Sequence, residues 1–116
     1  MKQDLLYLYN ILKSVEIIEE HLKKIDLKKF SCSILIQDAI SKRLEEIGEN
    51  AKKISNSLKE KYPQAEFEEY TDIRNFLTHV YQMLNVNRLW KIIKQDLPEL
   101  KKQIKRIIEE VKEDEN

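Results

Sequence analysis

The sequence predicts an all-α protein: an up-and-down bundle of four to five helices that forms one domain over residues 1–116. Two observations carry this prediction. The chain has one Gly and two Pro, which leaves few of the turn residues that a β protein needs. Leu, Ile, Lys and Glu dominate, and charged residues make up 36% of the chain against about 25% in an average globular protein, which is typical of long helices.

The first helix is predicted from about Gln3 to Ile25, because apolar residues recur there at steps of three and four. They form a single stripe: Leu5, Leu8, Leu12, Val15, Ile18, Leu22 and Ile25. The next residues, 26–29, break this pattern and predict a connection. His21 falls near the end of the helix, where we expect it at the surface.

The second helix is predicted from Ser31 or Ser33 to Glu60. Its apolar seam keeps a strict four-three spacing: Ile40, Leu44, Ile47, Ala51, Ile54 and Leu58. Gly48 lies in the middle of this helix, where a glycine costs about 1 kcal/mol relative to alanine. A close approach by a neighbouring helix, or a dimer contact, would explain a glycine at this position.

The third and fourth helices are predicted on either side of a short turn. Residues 61–65 form the clearest loop, because a proline at position 63 cannot continue a helix. The third helix runs from about Phe67 to Leu84, and the fourth from about Asn87 to Gln95.

A fresh start is predicted for the fifth helix. Asp96 has the chemistry of an N-cap, Pro98 falls in the first turn, and Glu99 occupies the capping-box position. The helix runs to about Lys112, and the residues beyond it are expected to fray. Its inward residues are predicted to be Leu100, Ile104, Ile107 and Val111.

Composition excludes several classes of protein. With a formal net charge of +0 and a pI near 6.7, the chain lacks a global basic footprint for nucleic acid. Cys32 is the single cysteine, so we expect a buried small residue in preference to a nucleophile or a zinc ligand. No signal-peptide pattern and no apolar run of about 18 residues occur, so we expect a soluble cytoplasmic protein without a membrane partner.

The most informative pattern lies in residues 72–84: Arg74-x4-His79-x-Tyr81, with Asn75 beside the arginine. On an ideal helix Tyr81 nearly eclipses Arg74, and His79 lies about 140° around from it. The polar face also holds Thr78. The opposite face is apolar: Ile73, Phe76, Leu77, Val80 and Leu84.

These residue types suit RNA cleavage without a metal. The planar guanidinium of Arg74 can hold a phosphate and stabilise charge in the transition state. His79 can take the proton of a 2′-hydroxyl or give one to the leaving oxygen. One histidine cannot easily do both at once, so two motifs facing each other in a symmetric dimer would serve better. The Tyr81 hydroxyl could accept a group transferred by a partner enzyme.

A structural interpretation of the same residues stays open at this point. Arg74 and Asp72 could be solvated helix charges, with His79 partly buried and Tyr81 packed at an interface. Among the surface lysines and arginines, Lys42 and Arg43 could add to a local rim for RNA. The carboxylates of the second helix could be taken for metal ligands: Glu45, Glu46 and Glu49. They lack the Glu-x-x-His partner that is typical of di-iron bundles, so we reject a metal site there.

The motif resembles the R-x4-H-x-Y signature of the HepT toxins in the HEPN superfamily. The residues from Ile47 to Ala51, Ile-Gly-Glu-Asn-Ala, are similar to the I-G-E-x-A segment of that family. Further matches are Asp4-Leu5-Leu6, Gln37-Asp38-Ala39, Trp90 and Leu97-Pro98. The resemblance covers about residues 4–110, nearly the whole chain.

The resemblance implies a helical bundle that forms a homodimer, with both motifs near a shared cleft. It implies the toxin of a toxin–antitoxin pair, acting as a metal-independent endoribonuclease without a cofactor. Arg74 and His79 become the catalytic pair, and Asn75 becomes their polar support. The antitoxin of this family, the minimal nucleotidyltransferase MntA, uses ATP to transfer AMP to the motif tyrosine, here Tyr81. The family often has an acidic residue where this chain has Asn85, so a role for that position is in doubt.

Two other hypotheses remain beside the toxin. The same polar face could bind a nucleotide or the active site of a partner nucleotidyltransferase without cleaving RNA. The chain could also be a purely structural helical dimer.

Overall fold

The computed structural model describes residues 2–80 and 86–115, and all regular structure within those ranges is helical. This confirms the predicted all-α class. The helices, in chain order, are α1 (Lys2–His21), α2 (Leu27–Ser31), α3 (Ile34–Lys53), α4 (Asn56–Lys61), α5 (Phe67–Val80), α6 (Val86–Lys91) and α7 (Leu97–Glu115). Pro63–Ala65 form one turn of 3₁₀-helix, and Ile92–Asp96 form a π-helical segment.

The long helix α3 lies at the centre of the bundle. It packs most extensively against α5 and then against α1, while α7 packs against α1. Two pairs of contacts show that α1 and α3 run antiparallel, because Asp4 bonds to Ser55 and Asn10 bonds to Asn50. The most deeply buried side chains are Leu8, Ile11, Val15, Ile18, Phe30, Ile40, Leu44, Ile47, Leu77, Leu97, Ile104 and Ile107.

The connection predicted after the first helix contains a helix of its own. α1 ends at His21, which is exposed as expected, instead of at Ile25. The helix α2 then begins behind Asp26, whose Oδ1 accepts a hydrogen bond of 2.9 Å from the backbone N–H of Lys29. The break predicted after the first helix is therefore present, and it contains the N-cap of α2. The sequence predicts a connection at these residues and not a short helix.

The junction between α2 and α3 corrects one expectation. Cys32 is exposed, because it follows α2 as its C-cap residue, so the prediction that it is buried is wrong. The next residue, Ser33, is the N-cap of α3, and its Oγ accepts a hydrogen bond from the backbone N–H of Ile36. Ser33 is one of the two starts predicted for this helix.

The second predicted helix is broken in two near residue 54. α3 ends at Lys53, Ile54 is extended, and Ser55 caps α4. The buried carboxylate of Asp4 accepts 2.9 Å and 2.7 Å hydrogen bonds from the backbone N–H and the Oγ of Ser55. Because that N–H is committed to α1, it cannot bond within a helix, and the prediction of one helix to Glu60 is wrong.

Asp96 is not the N-cap that the sequence predicted. The chain passes from α6 through the π-helical segment into α7 without leaving helical backbone, and the N–H of Leu97 bonds to the carbonyl of Ile92. An α-helix would bring the ring of Pro98 against the carbonyl four residues earlier. The wider π turn directly before it lets the helix continue, and α7 extends to Glu115, beyond the predicted end.

The four residues predicted to face inward from the last helix are all buried: Leu100, Ile104, Ile107 and Val111. None of the helices in residues 2–80 and 86–115 combines the length and the apolar run that a membrane crossing requires.

Candidate active site

Arg74 lies on α5 with its guanidinium between two oxygen acceptors. Its Nη2 is 2.8 Å from Oε2 of Glu49, which comes from α3. Its Nη1 donates a hydrogen bond of 2.9 Å to Oδ1 of Asn75, the next residue on α5. The Arg74 side chain is 26% exposed and that of Glu49 is 42% exposed, so the ion pair borders solvent. Arg74 is therefore held in place, and it is not the freely solvated helix charge of the structural interpretation.

The close contact of α3 with α5 depends on Gly48. A Cβ atom at this position would lie 2.5 Å from the backbone oxygen of Tyr70 and closer still to the Cβ of Arg74. Backbone cannot move aside as the end of a flexible side chain can, so only glycine fits this crossing. The close approach predicted from the sequence is confirmed, and it brings Glu49 within reach of Arg74.

A cavity of about 430 Å³ opens beside this ion pair. Its lining consists of Lys42, Glu45, Glu46, Glu49 and Arg74. Three carboxylates thus face two cations, so Arg74 lies on a wall that is acidic in sum. Such a wall repels phosphate except where a cation is presented, so within this lining an anion can be held at Lys42 or at the guanidinium of Arg74, and only the guanidinium can bind a phosphate through two parallel hydrogen bonds.

A neighbouring cavity of about 270 Å³ shares Glu46 and Glu49 with the first and reaches across to α1. Its other lining residues are Asn10, Lys13, Ser14, Arg43 and Asn50. Arg43 is paired with Glu46 at 3.0 Å. Lys42 and Arg43, which the sequence suggested as part of a rim, therefore lie on either side of the same carboxylates.

A third cavity, of about 240 Å³, lies apart from Arg74, between the 3₁₀ turn, α5 and the π-helical segment. Its charged lining residues are acidic: Glu66, Asp96 and Glu99. Burial raises the pKa of Tyr70, which also lines it, well above the usual range. A hydrogen bond with Glu66 raises the pKa of the nearby Glu69. This cavity favours protonated groups and offers a phosphate little attraction.

The structure describes the other predicted site residues to different extents. Asn75 is exposed and contacts Arg74 directly. The backbone of His79 belongs to α5, about 7.5 Å further along the helix axis than Arg74 by ideal geometry. The side chain of His79 lies outside what the structure describes, and so do Tyr81 and Asn85 altogether. The pairing of Arg74 with His79 stays a prediction.

Glu49 is the site residue that the sequence did not identify. From the sequence its carboxylate suggests only a metal ligand, beside Glu45 and Glu46, and membership in the I-G-E-x-A segment assigns it no role. Within the described part of the chain, no group of three histidine, cysteine or carboxylate side chains is placed to hold a metal ion. A signal for Glu49 was present, because it directly follows the one glycine and belongs to the I-G-E-x-A segment.

Comparison with known proteins finds a family model and relatives that have ribonuclease names. The family model described as "Ribonuclease HepT-like" matches residues 11–107. "Gamma-glutamylcyclotransferase and putative RNase MJ0434" of Methanocaldococcus jannaschii is 35% identical over 117 residues, which cover 100% of this chain and 53% of that protein. The chain thus spans about half the length of this relative.

Two further relatives are similar over most of their own length. "Putative RNase MJ1380" of Methanocaldococcus jannaschii is 38% identical over 98 residues, covering 84% of this chain and 90% of that protein. "Probable ribonuclease HepT" of Thermococcus cleftensis is 38% identical over 95 residues, covering 82% of this chain and 86% of that protein. No solved structure gives a significant match. Since the family model spans most of the chain, and these relatives are covered almost end to end, the chain belongs to the HepT-like ribonuclease family.

Proposed function

We propose that this protein is the toxin of a toxin–antitoxin pair and cleaves RNA without a metal ion, with Arg74 and His79 as its catalytic pair. The observation that carries the proposal is the guanidinium of Arg74, held at a cavity wall by acceptors from two helices. Membership in the HepT-like family supports it, and so do the names of the relatives as RNases. We propose that the protein acts in the cytoplasm, where its RNA substrate and the ATP used by the antitoxin are found.

The proposed reaction is a transfer of the phosphate from the 5′-oxygen to the neighbouring 2′-oxygen. The imidazole of His79 takes the proton of the 2′-hydroxyl, and the 2′-oxygen forms a bond to phosphorus. The bond from phosphorus to the 5′-oxygen breaks, and an acid returns a proton to that oxygen. A 2′,3′-cyclic phosphate and a free 5′-hydroxyl result. Arg74 stabilises the charge that develops on the non-bridging oxygens.

A homodimer would supply both the base and the acid. One His79 can accept the first proton while His79 of the partner subunit donates the second. This proposal predicts that the purified chain runs as a dimer in solution. It also predicts that a mixed dimer with one His79→Ala subunit loses most of its activity, since one of the two proton transfers then lacks its group.

We propose that Tyr81 is the site at which a partner switches the toxin off. An MntA-like nucleotidyltransferase would bind ATP, and the phenol oxygen of Tyr81 would attack the α-phosphorus. The bond between the α-phosphorus and the oxygen that bridges it to the β-phosphate would break, and pyrophosphate would leave. The phenol would lose its proton in the same reaction. The added AMP carries negative charge and bulk two residues beyond His79, where either would obstruct the binding of RNA.

RNA cleavage by the purified protein tests the main proposal. Total cellular RNA is incubated with the wild type, Arg74→Ala and His79→Ala in the presence of EDTA. We expect the wild type to cleave and each variant to lose about 10²–10³-fold in rate. Arg106→Ala is the matched control, because this arginine lies on α7, pairs with Glu110 and should leave the rate unchanged. RNA left intact by a folded wild type would overturn the proposal.

Mass spectrometry tests the modification. After incubation with the nucleotidyltransferase and ATP, the wild type should gain mass in AMP units, and Tyr81→Phe should gain none. Equal gains in both proteins would exclude Tyr81 as the acceptor. If the wild type binds ATP or the nucleotidyltransferase while RNA stays intact, the chain is the non-catalytic binding module that the sequence left open.

A further inference from the structure

We infer that Glu49 is a positioning residue for RNA cleavage: its carboxylate orients the guanidinium of Arg74 for the scissile phosphate. The inference rests on the proposed ribonuclease function and adds to it a residue from a different helix. It is drawn from the 2.8 Å contact between Nη2 of Arg74 and Oε2 of Glu49. Glu49 would touch neither the RNA nor the reacting atoms, and it would act only through Arg74.

The first step of the argument is the freedom that an arginine side chain must lose. An arginine side chain is long and has several rotatable bonds, so it has considerable rotamer entropy when it is free. In Arg74, Nη1 donates a hydrogen bond of 2.9 Å to Oδ1 of Asn75, and Nη2 lies 2.8 Å from Oε2 of Glu49. Two acceptors at the two ends of one planar group fix the orientation of its plane. The entropy is then lost on folding, before RNA binds, so the group is preorganised for the transition state.

The second step is the rigidity of the two helices that carry the pair. Gly48 brings the backbone of α3 into direct contact with the backbone and Cβ of α5 at Tyr70 and Arg74. Glu49 is the next residue after that contact, so its side chain extends from a backbone position that is packed close to Arg74. A site held by packed helices is more precise than one held by loops.

The third step concerns charge. A carboxylate beside a catalytic arginine could lower its attraction for phosphate, which would make Glu49 an inhibitor. Glu49 is 42% exposed, however, and water screens a pair at such a site. A guanidinium has five N–H donors in a planar fork, so it can serve several acceptors at the same time. A positioning role is therefore compatible with phosphate binding.

A neighbouring residue provides the matched control. Glu46 lies on the same helix and lines the same cavity, and its side chain is about as exposed, at 41% against 42% for Glu49. Its carboxylate bonds to Arg43 at 3.0 Å. Removing the charge of Glu46 changes the potential of the cavity as removing that of Glu49 does, and it leaves the Arg74–Glu49 pair in place.

The experiment compares Glu49→Met, Glu49→Gln and Glu46→Met in steady-state cleavage of an end-labelled single-stranded RNA of mixed sequence. Methionine keeps the length and the helix propensity of glutamate and removes the acceptor. We expect Glu49→Met to lower kcat about 10–100-fold with little change in KM, because misplacing a catalytic group acts on the transition state. Glu49→Gln should recover most of the activity, since its amide oxygen can still accept from Nη2. Glu46→Met removes a carboxylate from the same acidic wall, so it should act on KM for the RNA, whereas kcat should not fall as it does in Glu49→Met.

A double variant shows whether Glu49 acts through Arg74. Adding Glu49→Met to Arg74→Ala should cost nothing further, because the group that Glu49 positions is already absent. Circular dichroism of each variant confirms the fold. The inference is overturned if Glu49→Met, folded, cleaves as fast as the wild type or faster, if Glu46→Met loses as much, or if the double variant loses more than Arg74→Ala alone. RNA left intact by the wild type overturns the ribonuclease proposal itself, and this inference with it.

Discussion

The packing of α7 and the crossing of α3 with α5 are built in opposite ways. α7 presents a stripe of apolar residues to the bundle, and each of them is at most 5% exposed: Leu97, Leu100, Ile104, Ile107 and Val111. The crossing of α3 with α5 depends on the absence of a side chain at Gly48. Many contacts share the burial in the first region, whereas a single position decides the separation of two helices in the second.

The difference concerns what each region has to do. The α7 region supplies burial, and a small shift of one side chain there leaves the site beside Arg74 unchanged. The α3–α5 crossing sets the distance between Arg74 and Glu49, so a shift of one ångström there alters the site directly. Substitutions in the two regions should therefore separate stability from activity.

The largest loss of stability is expected for Ile104→Ala, in the α7 stripe. Ile104 is 0% exposed, and replacing it with alanine leaves a cavity in the core. We expect the free energy of unfolding to fall by about 2–5 kcal/mol, measured by urea denaturation followed by circular dichroism. The folded variant should still cleave RNA at the wild-type rate. The exposed Lys105→Ala, on the same helix, is the control; a loss of cleavage in folded Ile104→Ala would contradict the separation.

Gly48→Ala should have a smaller effect on stability and a larger effect on activity. In an open helix this change would stabilise by about 1 kcal/mol. Here the new Cβ would meet the backbone of Tyr70, and overpacking of this kind costs about 1–3 kcal/mol, so we expect a net loss. The displaced Arg74 should lower RNA cleavage as well. Ala39→Gly is the control: this position of α3 is exposed, so the change in unfolding free energy there reports only the difference in helix propensity between alanine and glycine. A Gly48→Ala protein more stable than the wild type would show that the helices can separate without cost.

How far the sequence predicts this fold depends on the range of the interactions. Apolar residues at helical spacing predict the inward faces of α3 and α7, because burying one stripe of a helix is a local pattern. The stripe predicted for α1 is correct in part: Leu8, Val15, Ile18 and Leu22 are buried, whereas the fully buried Ile11 lies outside it. The break at Ser55 was not predictable in this way. It depends on Asp4, which is 51 residues away and carries no helix-breaking signal. The π-helical segment was missed for a different reason: Asp96, Pro98 and Glu99 have the pattern of a new helix start, whereas the wider turn before Pro98 lets the existing helix continue.

The candidate site also contains features that local sequence predicts and features that depend on how the helices pack. The glycine in the middle of a helix predicted the close approach that the structure has, since its cost needs an explanation. The partner of Arg74 was missed, because the contact of Glu49 with it depends on the register of α3 against α5. Asn75 could be placed, since it is adjacent in sequence. The catalytic role of His79 and the modification of Tyr81 stay predictions from the motif.

Tyr62→Phe tests a polar contact of the α7 region. The buried phenol of Tyr62 donates a hydrogen bond of 2.8 Å to Glu110, and burial together with this bond raises its pKa from 10.0 to about 12. The folded state thus favours the neutral phenol. Its contribution to stability is complete below pH 10.0 and is lost as the pH rises towards about 12. Removing the hydroxyl should cost about 1 kcal/mol near neutral pH.

The measurement is the difference in unfolding free energy between the wild type and Tyr62→Phe at about pH 8 and about pH 11. Lysines titrate in both proteins, so their effect cancels in the difference. We expect the advantage of the wild type to shrink at the higher pH. A constant difference would mean that the phenol titrates alike in the folded and unfolded chains. Cleavage of RNA at neutral pH should be the same for both proteins, because Tyr62 lies outside the cavity beside Arg74.

The smallest effect is expected where α7 meets α1 at the surface, in Lys101→Met. Lys101 lies 2.8 Å from Glu19, and this hydrogen bond raises the pKa of the lysine above its ordinary value of 10.5. The pair therefore stabilises fully below pH 10.5 and loses its effect above it. Both side chains are partly exposed, so we expect a loss under about 1 kcal/mol that shrinks further in high salt. Lys102→Met, an exposed neighbour, is the control. A loss as large as that of Gly48→Ala, persisting in high salt, would mean that α7 also depends on single contacts, and the contrast between the two regions would fail.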